Sequence, residues 1–123
     1  MVLAIVDDLL FMSKIRGAAG RAGVPLTTAR SAEGALDEMR RQPPALVIVD
    51  LNNRRADPLA TIVAMKADPL LRSVRTLAFA GHTQLDLLES AKRAGVDDVL
   101  TRGALNELLP EIFSKASARE AGA

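Results

Sequence analysis

The sequence predicts an α/β domain built on a doubly wound parallel sheet, and three observations predict it. Continuous apolar runs recur at VLAIV (2–6), LVIV (46–49) and TLAFA (76–80). None of them alternates polar with apolar residues, so each strand is expected to be covered on both faces, as in a parallel sheet. Stripes with helical spacing separate the runs, and strict alternation of strand and helix implies right-handed crossovers within one sheet.

The elements follow in order. VLAIV is the first strand, and Met12, Ile15, Ala19 and Ala22 form the stripe of the first helix. PLTTA (25–29) reads as a peripheral second strand, and Ala32, Ala35, Leu36 and Met39 mark the second helix. LVIV is the third strand. Leu59, Ile62 and Val63 open a third helix that Asp68-Pro69 should end, because proline disfavours helix in the residue before it. TLAFA is the fourth strand. The fourth helix carries Leu87, Leu88, Ala91 and Ala94, with Thr83 as its expected N-cap, Asp86 three residues on, and Gly95 as its stop. VDDVL (96–100) gives a peripheral fifth strand. The fifth helix, with Ile112, Phe113 and Ala116, is expected to begin at Pro110, since proline suits the first helical position. Residues 104–109 would then be an irregular turn. Five such units suit the flavodoxin-like strand order 2-1-3-4-5. Residues 1–118 are expected to form one domain and 119–123 a C-terminal tail.

Composition narrows the function classes. The 123 residues can bury one core, and 49% apolar with 25% charged residues is ordinary for a globular domain. A net charge of +1 supplies no electrostatic footprint for nucleic acid and no basic face for a membrane. The absence of cysteine excludes a thiolate metal site and fits the cytoplasm. VLAIV is too short for a signal peptide or a spanning helix.

The chemistry gathers at one edge. In a sheet of this order, ligands bind beyond the carboxyl ends of the strands at the switch point between the first and third. Asp7 and Asp8 follow the first strand and Asp50 ends the third. Three like charges there form a costly cluster unless a cation neutralises them, and oxygen-only ligands suit Mg²⁺. Acidic residues also end strands simply because the rim is solvated, and that reading competes with the functional one.

AIVDDLLFMSKI, VIVDLN and KRAGVDDVLTRG, in this order and spacing, resemble the receiver domain of bacterial two-component response regulators over residues 2–117. The resemblance implies that Asp50 accepts a phosphoryl group from a histidine kinase or phosphotransfer protein. It implies that Asp7, Asp8, Asp50 and the backbone carbonyl of Asn52 hold Mg²⁺. It also implies a downstream protein partner on the face made by the fourth helix, fifth strand and fifth helix.

Departures from the family pattern bear on output. Ala80 stands where receivers carry the switch Thr or Ser, and Val99 where an aromatic residue normally swings. Arg102-Gly103 replaces the usual Lys-Pro; arginine keeps a positive charge and a forked donor set suited to phosphate. Arg54 and Arg55 are either solvated loop charges or a cover for the acidic pocket. His82 is either an exposed loop residue or a pH-sensitive contact near phosphate. Two functions remain: an atypical stand-alone receiver in phosphorelay signalling, or a phosphorylation-independent pseudo-receiver serving as an interaction module. A turnover enzyme is not expected, for no GxxxxGK[ST] or GxGxxG follows any strand and neither DDL nor DLN supplies a D-x-D.

Overall fold

The structure, a computed structural model, describes residues 1–53 and 56–122. Five strands and five helices alternate: β1 (Val2–Ile5), α1 (Leu9–Ala22), β2 (Leu26–Ala29), α2 (Ala32–Arg41), β3 (Leu46–Asp50), α3 (Pro58–Ala67), β4 (Arg75–Ala80), α4 (Leu85–Arg93), β5 (Asp98–Thr101) and α5 (Arg102–Gly122). The strands are parallel and lie in the order β2-β1-β3-β4-β5, the order expected from the sequence.

The sheet is covered on both sides, which is why its central strands read as unbroken apolar runs. Val2, Ala4, Leu46, Ile48, Leu77 and Phe79 face α1 and α5, meeting Ile15, Leu105 and Phe113. Their neighbours Leu3, Ile5, Val47, Val49, Ala78 and Ala80 face the other way, against Ala35, Met39, Ile62, Met65 and Ala91. The peripheral strands β2 and β5 are only partly buried, as their mixed sequences suggested.

Local chemistry sets most boundaries. The Asp8 carboxylate caps α1, accepting from the backbone N–H groups of Leu10 (3.0 Å) and Phe11 (3.1 Å), and Gly23 ends the helix at φ 68°. Ser31 caps α2 through Gly34 N–H, and Asp57 caps α3 through Ala60 N–H with Pro58 in the first turn. Asp68 terminates α3 where Asp68-Pro69 was expected to. One carboxylate of the AGVDDVL segment acts as a staple: Asp97 accepts from the Thr76 backbone N–H (2.8 Å) and hydroxyl (3.1 Å), tying the start of β4 to the turn before β5.

Two expectations are corrected. α4 is preceded by Gln84, not capped by Thr83, and no side-chain cap bond closes its first turn, because the Gln84 amide is engaged elsewhere. α5 starts at Arg102, so residues 104–109 are helical and Pro110 lies inside the helix. A proline there removes one backbone donor and releases the carbonyl four residues earlier. That residue, Asn106, and Pro110 itself are both exposed, so the released carbonyl is on the watered side. On the opposite side Leu105, Leu109, Phe113 and Ala116 are all buried, and this stripe holds the helix together across the proline. α5 continues to Gly122, through the segment set apart as a tail. Among the described residues no helix is long and apolar enough to cross a membrane.

Candidate functional site at the carboxyl edge of the sheet

Asp50 is the last residue of β3 and sits in register with Phe79 of β4. Only 3% of its surface is exposed, so its carboxylate lies under the rim and not on it. The chain turns sharply after it: Leu51 N–H donates to Phe79 carbonyl (3.0 Å), Asn53 N–H to Asp50 carbonyl (3.1 Å), and Asn52 N–H to Asp50 Oδ1 (2.9 Å). Burial pushes the Asp50 carboxyl above its ordinary range. The Asn52 N–H and the Arg102 charge oppose that shift, while Asp8 and Asp7 reinforce it. Arg102, Asp8 and Asp7 are therefore each close enough for their charges to act on Asp50.

The acidic residues are not equivalent. Asp8 uses Oδ1 to cap α1, a role that the sequence reading did not assign to it. With the carboxylates of Asp7, Asp8 and Asp50 and the carbonyl of Asn52, the donors are all oxygen, which fits a hard divalent cation such as Mg²⁺. Among the described residues no three His, Asp or Glu side chains are arranged to hold a metal by themselves. A cation at this edge would need the backbone carbonyl and water to complete its shell, which Mg²⁺ tolerates.

Arg102 is delivered by the strand-to-helix junction that follows β5, whose Thr101 pairs with Ala80. Its guanidinium lies 6.0 Å from the centroid of the Phe79 ring, and that ring stacks on Phe11 at 4.9 Å. Arg102 Nε is buried and has no hydrogen-bond partner among the described residues. Phe11, Lys14, His82, Arg102 and Gly103 line an open groove beside the site, with His82 exposed at its edge. Ala80 is fully buried among the apolar residues on the α2–α4 side and presents only a methyl group there. Val99 packs partly buried against the same cluster. Arg54 and Arg55 lie outside the described residues.

One arrangement escaped the sequence reading. The side chains of Asn52 and Gln84 form a reciprocal amide pair: Asn52 Nδ2 donates to Gln84 Oε1 (2.7 Å) and Gln84 Nε2 to Asn52 Oδ1 (2.7 Å). Gln84 Oε1 also accepts from Gly81 N–H (2.8 Å), so the loops after β3 and β4 are clasped together directly beside Asp50. A backbone N–H can only donate, so Gly81 fixes which end of the Gln84 amide is oxygen, and that in turn fixes Asn52. No pattern along the chain marks a pair separated by 32 residues.

No family model matches the chain. The transcriptional activator protein ExaE of Pseudomonas putida is 30% identical over 102 residues, which make up 83% of this chain and 47% of that protein. The chain thus spans about half the length of the curated relative it matches. Solved structures match nearly end to end. The receiver domain of NtrX from Brucella abortus superposes with a TM-score of 0.81 at 22% identity, covering 96% of this chain and 98% of that one. The chemotaxis response regulator CheY4 of Vibrio cholerae gives 0.79 at 18% identity, covering 94% and 96%. The phosphorylated cyanobacterial phytochrome response regulator RcpA gives 0.76 at 20% identity, covering 93% and 88%. With five parallel strands in the order β2-β1-β3-β4-β5 and an aspartate ending the middle one, this chain has the fold of a response-regulator receiver domain.

Proposed function

We propose that this chain is an atypical receiver that accepts a phosphoryl group on Asp50. The observation that carries the reading is the placement of Asp50: a nearly buried carboxylate at the switch point of the sheet, on which the charges of Arg102, Asp8 and Asp7 all act. In the transfer, an Asp50 carboxylate oxygen attacks phosphorus and forms an O–P bond. The donor's bond to phosphorus breaks, and the leaving group departs with the electron pair and takes a proton from solvent. Asn52 N–H holds one Asp50 oxygen and so orients the other. Arg102 balances the negative charge that accumulates at the transferred group. Mg²⁺, held by Asp7, Asp8, Asp50 and the Asn52 carbonyl, would supply further neutralisation. The donor would be a histidine kinase or phosphotransfer protein in the cytoplasm, and the output a protein contact on the α4-β5-α5 face, without turnover of a substrate.

A second reading, a pseudo-receiver acting by contact alone, draws on Ala80 and on the packed Val99, which remove the usual means of reporting the phosphoryl group. Intact mass after incubation with Mg²⁺ and acetyl phosphate separates the two. One added phosphoryl group on the wild type and none on Asp50→Ala is the expected result. No adduct on a folded wild-type sample would favour the pseudo-receiver.

A further inference from the structure

Gln84 Oε1 accepts two hydrogen bonds on a single oxygen, from Gly81 N–H at 2.8 Å and from Asn52 Nδ2 at 2.7 Å. Gly81 is the first residue after β4, and Asn52 is the residue whose backbone N–H already holds Asp50. Two donors on adjacent loops therefore converge on one point at the open edge of the site, and a neutral amide oxygen fills that point. The fit is close: a Cβ added at Gly81 would meet Gln84 Oε1 at 3.2 Å, so a side chain there would make the amide shift by a few tenths of an ångström. Asp50 meanwhile is almost closed off, and Ala80, next to Gly81, offers a phosphoryl oxygen no hydroxyl.

We propose that Gln84 is an internal plug, its amide oxygen occupying the donor pair of Gly81 and Asn52 that receives a phosphoryl oxygen once Asp50 is loaded. This rests on Asp50 being the acceptor. On loading, a phosphoryl oxygen takes the Gly81 N–H and Asn52 Nδ2, and Gln84 swings out to water. Only hydrogen bonds change hands in that exchange, and the anionic oxygen wins it because charge-assisted bonds are the stronger kind. The displacement also supplies an output that Ala80 cannot. Gln84 immediately precedes α4, its carbonyl accepts from Leu88 N–H (3.1 Å), and its N–H donates to Gly81 carbonyl (3.0 Å). Releasing its side chain unties this residue from the β3 and β4 loops and leaves only these backbone bonds to hold it at the start of the helix that borders the expected partner face. Gln84 acts here as a positioning residue, through the donors it covers and the helix it precedes.

The test uses wild type, Gln84→Ala, Gln84→Glu and Asp50→Ala, titrated with Mg²⁺ and beryllofluoride, a stable stand-in for the phosphoryl group, and followed by ¹⁵N NMR. In the wild type, loading should shift the Gly81 amide, the side-chain NH₂ signals of Gln84 and Asn52, and the amides of Leu85 to Leu88. Removing the plug removes the hydrogen bonds that must be broken, so Gln84→Ala should bind about tenfold more tightly. Gln84→Glu keeps the acceptor oxygen and adds a like charge, so it should bind more weakly than wild type. Opposite signs for two changes at one position are not what simple loss of stability produces. Loading of the wild type with the Gly81 amide and Gln84 NH₂ signals unmoved, or equal affinity in Gln84→Ala, would overturn the plug and leave the receiver reading intact. No loading of wild type or either Gln84 variant would overturn the receiver reading and the plug with it.

Discussion

Replacing one Asp50 oxygen by an amide nitrogen removes a buried charge and leaves Oδ1 to accept the Asn52 N–H. Because burial and the neighbours Asp8 and Asp7 raise the folded carboxyl above its ordinary 3.8, the folded state holds its proton more tightly than the unfolded chain does. Stability therefore falls as pH climbs from the unfolded value through the raised folded one, and the full penalty applies above it. Asp50→Asn lacks that penalty. It should melt higher than wild type at neutral pH, by roughly 4 °C for each kcal/mol relieved. The difference should vanish below pH 3.8, where both states are protonated; thermal melts across pH would measure it. A variant that melts lower at neutral pH would mean that the charge is already compensated. At this scale the sequence was legible where a residue ends an apolar run. Asp7, Asp8 and Asp50 were singled out as strand ends, whereas Arg102 came into view only through the resemblance, standing where a lysine is usual. Asp8 as a helix cap was missed, although an aspartate just before LLFM is an ordinary N-cap signal. Gln84 was out of reach, since its partners are set by how two loops meet.

Among the elements, α5 departs furthest from its expected form. Pro110 suggested a helix start because proline fits the first turn, and that inference gave Leu105 and Leu109 no role. Placed in one stripe with Phe113 and Ala116, they outweigh the missing donor, since burying each leucine side chain is worth about 1.5–3 kcal/mol. Pro110→Ala restores the bond to the Asn106 carbonyl on the exposed side and raises helix propensity. It should stabilise the fold by about 1–2 kcal/mol, less than the full propensity difference because proline also stiffens the unfolded chain. Urea unfolding followed by circular dichroism would register it, and a destabilised variant would mean that the helix bends at Pro110 to fit the sheet. The central strands were legible because two covered faces demand unbroken apolar sequence. The start of α4 was not, because a residue that spends its side chain on a neighbouring loop leaves no capping pattern behind.

The molecule as a whole rests on two cores separated by one sheet, and Phe113 is the largest side chain that α5 contributes to the first of them. Phe113→Ala should cost about 3–5 kcal/mol, read from the urea midpoint. A loss below about 1 kcal/mol would mean that α5 docks chiefly through Leu105 and Leu109. That the fold could be read at all follows from scarcity: with three phenylalanines and neither tyrosine nor tryptophan, aliphatic runs are the sequence's main landmarks. The same scarcity has an optical consequence. Phe11 stacks on Phe79, over whose ring the guanidinium of Arg102 lies, in a protein that has no native indole or phenol emission. A single tryptophan at position 11, which lines the groove, would glow without background. Its colour would follow the electric field of Arg102, brightening or dimming as charge arrives next door.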